Sequence, residues 1–466
     1  MANLVSPLSK ESILYTWKEL IKRAGTPAGK VEEGVLRVLD IPVFYGLPKT
    51  APASPYIAVC RCKDSSWMEL LNMPEGTLAW SRLEESVPKG SQLHLENSIP
   101  VLFWGEGYEN GNQPFAERRS DGSVIFYADI IAASFFMLSR WEETVVPIRD
   151  RHDRFPGIAS VAWKQGFLDR PLVDEYAIIL REWLKVILPG WQPALNEFKV
   201  HLSHDIDHVR LFPDLSSRIV RSASELFKRR DIRSAINAIF WNKSFDADPY
   251  YRRIYELAKI SLENGLSNDS FYFMSARKSN KDAGYDINSP HIRRCIDSLL
   301  EQGFEIGLHP SYYTYSDPVR MADEKARIES VLGFPVRATR QHYLRFKIPK
   351  TWRILAEVGF TNDGTLSFAD QVGFRCGTCH AFKPFDVINN SELAIEERPL
   401  IVMDRTIVDY LSLAPPEGSD LIVKLALRCR SVEGTFTFLW HNTSIYRKYL
   451  PWIDIYPALV RKLSAL

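Results

Sequence analysis

The stretch "FKVHLSHDID", residues 198–207, decides the fold. It is predicted to be a short strand that runs into polar residues, and from there to residue 441 strands alternate with helices. The predicted strands are 198–207, 270–274, 304–309, one near 336–343, and 434–441, and the predicted helices between them are 289–303, 318–333 and 349–359. Repeated β-α units predict an α/β fold with a mostly parallel sheet or barrel and helices outside it.

A domain boundary is predicted before this stretch. The first part of the chain mixes short strand-like pieces with two helices, at 129–145 and 172–188. The second helix runs into "PGWQP", whose Pro189, Gly190 and Pro193 stop helices. We therefore expect a smaller N-terminal α+β domain at 1–193 and a C-terminal α/β domain at 194–466.

Composition limits the classes of function. The chain has 466 residues, enough for an enzyme, with 58 Lys and Arg against 57 Asp and Glu. A net charge of +1 predicts no broad basic face for nucleic acid or for an anionic membrane, although local patches remain possible. The start of the chain does not resemble a secretory signal, which favours a cytoplasmic protein. The longest apolar run, 128–138, is about half of the ~20 residues that cross a bilayer, so no membrane span is expected.

Three other motifs have simple structural explanations. The pentapeptide "CGTCH", 376–380, has the spacing of a haem attachment site, but haem of that type is attached outside the cytoplasm, and a loop with partly buried thiols is favoured. Six cysteines in a long cytoplasmic chain also argue against a disulfide framework. "RWEE", 140–143, and "DRHDR", 150–154, are interpreted as charged networks that hold the N-terminal domain together.

Polar residues gather where the predicted strands end. In parallel β-α folds, the reactive residues lie at the C-terminal ends of the strands. Four predicted strands end in acidic, histidine or arginine residues: Asp205 and Asp207, then His309, then Arg340 and His342, and finally His441. These side chains form one coherent candidate site.

Strand geometry separates the members of the first cluster. Side chains two residues apart point to the same side of a strand, so Asp205 and Asp207 face one way while His204 and His208 face the other. If one carboxylate binds a divalent cation, the other can serve as a general base. A hydrolytic zinc site needs about three protein ligands and an open position for water, and Asp207 and His309 would supply two of them.

Several rival motifs do not fit the sequence. The metallo-β-lactamase pattern, placed on Asp207 and His208, needs histidines where this chain has Ser203 and Asp205. An HD phosphohydrolase needs its His-Asp pair on a helix, whereas this pair follows a predicted strand. No phosphate-binding P-loop and no G-x-S-x-G nucleophile elbow occurs in the chain.

The ordered motifs resemble the polysaccharide deacetylase, or NodB-homology, family of carbohydrate esterases. The family opens with T-F-D-D, in which the first Asp is the catalytic base and the second a metal ligand. "SHDID", 203–207, is similar with one residue inserted, so the resemblance makes Asp205 the base and Asp207 a ligand. The second motif, H-[ST]-x-x-H, is similar to "HPSYY" after the strand "GFEIGL", which makes His309 a ligand but leaves Tyr313 where the second histidine would stand.

The remaining motifs assign the other roles. "RQHYL", 340–344, takes the place of R-x-P-x-G, so Arg340 would orient the base while His342 replaces the proline. We expect His342 to be the third metal ligand, with His208 and Tyr313 as the alternatives. "LWH", 439–441, resembles the last motif and makes His441 the general acid.

The resemblance, over roughly residues 198–445, implies a distorted (β/α) barrel of the NodB-homology type. It implies a hydrolase that uses a divalent metal, expected to be Zn²⁺, to remove an N-acyl group from an amino sugar. The first 193 residues look like the companion domain of a divergent bacterial branch that is associated with surface-polysaccharide gene clusters, so the expected partner is a carbohydrate precursor. The alternatives are a catalytically degenerate fold that binds a glycan or assembles a complex, and another C–N or C–O hydrolase.

Overall fold

The structure is a computed structural model that describes residues 7–27, 29–32, 35–50, 52, 54–109, 113–228, 230–242, 244–282 and 284–466. The N-terminal part contains strands β1 (Lys30–Glu32), β2 (Val35–Val38), β3 (Ile41–Tyr45), β4 (Ile57–Val59), β5 (Ala79–Arg82), β6 (Ser98–Val101), β7 (Ala116–Arg118) and β8 (Val124–Phe126). Its helices are α1 (Lys10–Arg23), α2 (Ser66–Asn72), α3 (Leu83–Ser86), α4 (Ile130–Ser139), α5 (Trp141–Val145), α6 (Val161–Lys164) and α7 (Leu172–Ile187). Six of these strands form a mixed sheet in the order β1-β2-β3-β4-β8-β7, and β5 pairs with β6.

The C-terminal part is built on parallel strands. Its strands are β9 (Lys199–Ile206), β10 (Ser270–Phe273), β11 (Glu305–Leu308), β12 (Ala338–Thr339), β13 (Asn362–Asp363), β14 (Phe385–Asp386), β15 (Ser391–Glu392), β16 (Glu396–Glu397), β17 (Val402–Met403) and β18 (Thr435–Leu439). Its helices are α8 (Leu215–Ala223), α9 (Ile232–Ile239), α10 (Pro249–Glu263), α11 (Pro290–Glu301), α12 (Pro318–Leu332), α13 (Lys350–Val358), α14 (Pro415–Ser431) and α15 (Ile455–Ser464).

Eight of these strands form one curled sheet. Their order is β16-β13-β12-β11-β10-β9-β18-β17, and every neighbouring pair is parallel. The two edge strands, β16 and β17, are separated in sequence only by residues 398–401. The backbone of this segment makes hydrogen bonds to a strand near each edge of the sheet. Arg398 N donates to Asp363 O in β13, and Ile401 N donates to Thr437 O in β18. The predicted fold class is therefore confirmed, with a barrel-like parallel sheet and an N-terminal α+β region.

Local sequence explains how the helices follow the strands. Three helices begin with a capping side chain and then a proline, which suits the first helical position because its missing N–H has no partner there. These starts are Asp248 before Pro249 in α10, Ser289 before Pro290 in α11, and Asp317 before Pro318 in α12. β10 and β18 lie inside the sheet and are mainly buried apolar residues, as expected for parallel strands covered on both faces.

Two predicted elements differ from the structure. The strand expected at 336–343 is only β12, because the chain turns after it and Tyr343 takes a left-handed φ of 62° that an extended strand cannot hold. The helix expected at 129–145 is broken at Arg140, whose φ is 53°. The Arg140 guanidinium is buried and paired with Glu142 and Glu143, which holds the break in place.

The N-terminal part packs closely on the barrel. The ring of Phe135 in α4 lies 5.3 Å from that of Phe385 in β14. Arg375, from the C-terminal part, pairs with Glu143 at 2.6 Å, and both side chains are buried. The "RWEE" network is thus a charged network as predicted, but it also joins the two parts of the chain. The division after residue 193 falls between α7 and β9 and stays a proposal.

Within the described residues, no helix is both long and apolar enough to cross a membrane. All six cysteines are buried thiols without a disulfide. Burial is the main reason that the pKa of the Cys379 thiol lies well above its usual value, which suits an inert side chain better than a reactive one.

One buried carboxyl below the barrel predicts how stability changes with pH. Asp269 accepts a hydrogen bond from Leu202 N at 2.7 Å, and burial raises its pKa to about 8. Between pH ~4 and ~8 the Asp269 carboxyl therefore keeps its proton in the folded state but loses it in the unfolded state. The free energy of unfolding should consequently fall by up to ~1.4 kcal/mol for each pH unit in this range.

Asp269→Asn has no carboxyl at this position, so this fall in the free energy of unfolding should be absent. The difference in free energy of unfolding between the variant and the parent protein should therefore shift in favour of the variant from pH 5 to pH 8. Urea unfolding at several pH values measures the difference. Asp420→Asn, at an exposed carboxylate of α14, is the matched control and should show no such trend. An Asp269→Asn variant whose stability difference is the same at every pH would contradict a protonated Asp269.

Candidate metal centre

All six predicted site residues come together at one end of the barrel. Asp205 is near the end of β9 and Asp207 follows it, His309 follows β11, Arg340 and His342 follow β12, and His441 follows β18. These four strands are parallel, so their carboxyl ends all lie at the same end of the barrel.

Three of the six residues form a compact group of metal-ligand type. Asp207, His309 and His342 each offer one ligand atom, and these atoms lie within 4.8 Å of one another. Oδ1 of Asp207 is 3.2 Å from Nε2 of His309 and 3.6 Å from Nε2 of His342. His441 approaches the same carboxylate from the other side, with Nε2 3.8 Å from Oδ2 of Asp207.

The other nitrogen of each imidazole is already engaged. A carbonyl or carboxylate oxygen can only accept a hydrogen bond, so the Nδ1 that faces it must carry a proton. In a neutral imidazole the Nε2 atom then has no proton and offers a lone pair. The acceptors are Arg340 O for His309 (2.6 Å), Asp282 Oδ1 for His342 (2.9 Å) and Asp404 Oδ1 for His441 (2.6 Å). Three Nε2 atoms therefore converge on one carboxylate.

This convergence fits a divalent cation. Oδ1 of Asp207 and Nε2 of His309 are buried and have no hydrogen-bond partner, although they lie next to each other. Burial alone would raise the pKa of Asp207, but positive charge on the neighbouring His309, His441 and His342 rings holds it well below its usual value, so the site favours a positive charge beside this carboxylate. Two lone pairs facing each other in a buried site repel unless a proton or a cation lies between them. The donor set of two imidazoles and one carboxylate suits zinc.

Asp205 is held in a different way. Its Oδ1 lies 3.2 Å from Nη1 of Arg340, which also donates to Ser203 Oγ at 2.8 Å. Nε of the same guanidinium donates to Gly364 O at 2.8 Å, and the group lies over the Tyr272 ring at 4.5 Å. Arg340 and Asp205 are both buried. These contacts hold the Arg340 guanidinium in one position, and it in turn orients the Asp205 carboxylate.

The second oxygen of Asp205 faces the metal-ligand group. Oδ2 lies 3.8 Å from Nε2 of His309 and 3.9 Å from Nε2 of His441. One carboxylate oxygen is therefore paired with arginine, while the other points towards the centre of the site.

One residue that was not among the predicted site residues, Asp404, orients His441. Its Nδ1 and its backbone N both bond to the carboxylate of Asp404, which also accepts from Ser444 Oγ. Burial would lower the pKa of His441, but Asp404 raises it above the usual value for histidine. Asp404 follows β17 and ends the apolar run "LIVM", 400–403, so the strand-end rule could have found it.

Asp282, the partner of His342, carried no such signal. It lies in the loop between β10 and α11, where its carboxylate accepts from Ser279 Oγ at 2.6 Å and from Tyr312 N at 2.9 Å. The loop has no periodic pattern that would mark one acidic residue among several.

The remaining candidates lie outside the group. His204 faces away from Asp205, with Nδ1 bonded to Trp440 O at 2.8 Å and its ring 4.7 Å from that of Phe271. His208 is exposed beyond the end of β9. Tyr313 is 42% exposed, and its ring lies beside Arg320 rather than in the cluster. The structure therefore brings His342, and neither His208 nor Tyr313, into contact with the other two predicted ligands.

A second group of ligand type has a different character. Asp174, Cys379 and His380 also lie within 4.8 Å of one another. The Asp174 carboxylate, however, is already bonded to Arg23 Nε at 2.9 Å, Thr378 Oγ1 at 2.6 Å and the Cys379 backbone N at 2.9 Å. Its charge is therefore balanced by arginine, and the group does not fit a cation.

Residues of the N-terminal part complete the rim of the site. In the "DRHDR" segment, His152 Nδ1 bonds to Tyr312 Oη at 3.0 Å, and Arg154 donates to Tyr343 O at 2.8 Å and to Tyr410 Oη at 2.9 Å. These bonds hold three tyrosines that the C-terminal part provides. The Tyr343 ring in turn lies 4.5 Å from that of His342.

One family model matches a segment of the N-terminal part of the chain. A family model described as a family of unknown function (DUF7033) matches residues 73–189. No curated protein matches the chain at a significant level.

Among the solved structures that match are a polysaccharide deacetylase candidate and two CE4 proteins. A candidate polysaccharide deacetylase from Mycobacterium smegmatis is 16% identical with a TM-score of 0.38, over 60% of this chain and 87% of that one. A CE4 family pseudoenzyme from Bacillus anthracis is 11% identical with a TM-score of 0.30, over 58% of this chain and 62% of that one. A CE4 domain of a xylanase from the hindgut metagenome of Trinervitermes trinervoides is 10% identical with a TM-score of 0.29, over 58% and 84%.

Proposed function

We propose that this chain is a metal-dependent hydrolase that removes an N-acyl group from an amino sugar. The observation that carries the proposal is the convergence of three imidazole Nε2 atoms on the Asp207 carboxylate. A second carboxylate, Asp205, lies beside this group and is paired with Arg340. Such an arrangement separates a cation-binding carboxylate from a proton-accepting one, which is what hydrolysis of an amide requires.

The proposed ligands are Asp207, His309 and His342. A divalent cation held there, which we propose to be Zn²⁺, supplies Lewis-acid polarisation of the acyl carbonyl and lowers the pKa of a water molecule. Asp205 is the proposed general base. Arg340 keeps its Oδ1 occupied, so Oδ2 is the oxygen that takes the proton from the attacking water.

His441 is the proposed general acid. Its Nδ1 is bonded to Asp404, which favours the protonated ring and aims Nε2 into the site. When the C–N bond breaks and the new C–O bond has formed, Nε2 donates its proton to the leaving nitrogen. The proton taken by Asp205 and the proton given by His441 balance the hydrolysis.

Exposed aromatic rings beside the site support a carbohydrate substrate. Tyr343 and Tyr410 are 38% and 44% exposed, and Arg154 bonds to both. A fixed aromatic ring offers an apolar face for one side of a sugar and a hydroxyl for the other, at little cost in conformational entropy. The assignment to a surface-polysaccharide precursor is a further proposal that rests on the resemblance of residues 1–193.

The proposal predicts a specific effect at Tyr343. Tyr343→Ala should raise KM for the sugar substrate by ~10-fold while kcat changes little, because the ring would bind substrate and transition state alike. Steady-state kinetics measures both constants. Phe334→Ala, at an equally exposed ring after α12, is the matched control and should leave KM unchanged. A large fall in kcat with unchanged KM would contradict the binding role.

Acyl release tests the function itself. The protein is stripped with a chelator, reloaded with Zn²⁺, Co²⁺ or Ni²⁺, and incubated with N-acetylglucosamine oligomers and with a nucleotide-linked N-acetylamino sugar. Metal-dependent release of acetate is expected from at least one of them. A protein that binds no metal and releases no acetate would overturn the proposal, and glycan binding that survives His309→Ala without any release would favour the binding alternative.

A further inference from the structure

The segment between β9 and α10 forms a helical hairpin with an apolar surface. It consists of α8, a π-helical turn at 224–228, and α9, and we call residues 215–240 the basic hairpin. Among the described residues, twenty-five large apolar side chains are exposed, and eight of them fall in these 26 residues. They are Leu215, Ile219, Val220, Leu226, Phe227, Ile232, Ile236 and Phe240.

The barrel does not cover this surface. α8 buries none of its residues, and α9 buries only Ala235 and Ala238. Phe227 is 80% exposed and Phe240 is 75% exposed. A cluster of eight exposed apolar side chains is more than scattered surface residues, and it marks a surface that contacts something else.

The charge of the basic hairpin is opposite to that of the rest of the chain. It holds six Lys and Arg residues against two Asp and Glu, a net charge of +4, while the whole chain carries +1 and the remainder therefore carries −3. Its two acidic residues have partners within the fold. Glu225 pairs with Arg221 and Arg447, and the Asp231 side chain caps α9 at Ser234 N.

We propose that the basic hairpin docks on the surface of an anionic lipid bilayer. Exposed Phe, Ile and Leu next to arginine are the combination that holds an amphipathic helix in the plane of a membrane interface, where apolar side chains enter the lipid and cations contact the headgroups. A second copy of this chain fits less well, because two surfaces of net charge +4 repel each other.

Docking of the basic hairpin would place the candidate metal centre close to the bilayer surface. The Arg221 guanidinium lies 4.9 Å from the Tyr446 ring centroid, and Glu225 pairs with Arg447. Both partners follow His441 by only a few residues, and the hairpin itself follows β9, so it lies at the end of the barrel that carries the site. The inference concerns the location of the site and does not depend on the reaction.

Vesicle co-sedimentation of the full chain tests the proposal. The protein should pellet with vesicles of phosphatidylglycerol and phosphatidylcholine, bind pure phosphatidylcholine more weakly, and lose affinity as salt rises. The double variant Phe227→Ser and Phe240→Ser should lower the partition coefficient on the mixed vesicles at least ~10-fold.

Matched controls keep the result specific. Val319→Ser and Ile388→Ser remove equally exposed apolar side chains outside the basic hairpin and should leave binding unchanged. Circular dichroism melts check that every variant is folded. The proposal is overturned if the parent protein does not bind the mixed vesicles, or if the double variant binds them as well as the parent. Sedimentation equilibrium that shows a dimer lost in the double variant would also overturn it, in favour of contact between copies.

Discussion

Asp205→Asn should lower kcat for acyl release by ~10³-fold while the protein keeps its bound metal. The amide has the size of the carboxylate and can still contact Arg340, but it cannot take a proton from water. General base catalysis contributes ~10²–10⁴-fold, which sets the expected size of the loss. Acetate release and metal content, measured on the same preparation, separate loss of the base from loss of the metal.

A neighbouring residue provides the control for this variant. His208→Asn changes an exposed side chain beyond the end of the same strand and should keep both the parent rate and the parent metal content. If Asp205→Asn were as active as the parent protein, Asp205 could not be the base. If it lost its metal as well, Asp205 would belong to the metal ligands instead.

The second large effect is expected at His342. Its Nε2 faces Asp207 while its Nδ1 is held by Asp282, so His342→Ala removes one of three proposed ligands. The affinity for Zn²⁺ should fall by ~100-fold or more, which exceeds the ~10–100-fold loss usual for residues that only orient a ligand. Competition with a chromophoric chelator measures the dissociation constant.

The same titration decides between the alternatives that the sequence left open. His208→Ala and Tyr313→Phe remove the two rival candidates, and both variants should bind Zn²⁺ like the parent protein. A weakened affinity in either of them, with His342→Ala unchanged, would contradict the proposed ligand set.

Much of the fold followed from the periodicity of a few segments. The alternation of residues 198–207 predicted that Asp205 and Asp207 share a face, and in the structure both approach Nε2 of His309 while His204 packs on Phe271. Of the three helices that begin with a cap and a proline, α11 and α12 were predicted close to where they occur, because local side chains determine where they start, whereas α10 was not predicted.

The features that escaped prediction depend on contacts between distant parts of the chain. β13, β16 and β17 are each two residues long, so no periodicity marks them, and Asp404 was missed with β17. Asp282 reaches His342 from a loop 60 residues away in sequence. Arg154 reaches Tyr343 from the N-terminal part, and nothing in "DRHDR" indicated that its bonds would extend to the rim of the site.

X-ray absorption at the zinc edge, on protein loaded with one equivalent of Zn²⁺, shows directly which atoms bind the ion. We expect one tightly bound ion that is coordinated by two imidazole nitrogens and a carboxylate oxygen at about 2.0 Å, with a spectrum that changes in His342→Ala. A shell that includes sulfur at about 2.3 Å would place the ion at Cys379 instead, and protein that retains no zinc would remove the basis for metal-dependent hydrolysis. Either result would contradict a zinc site formed by Asp207, His309 and His342.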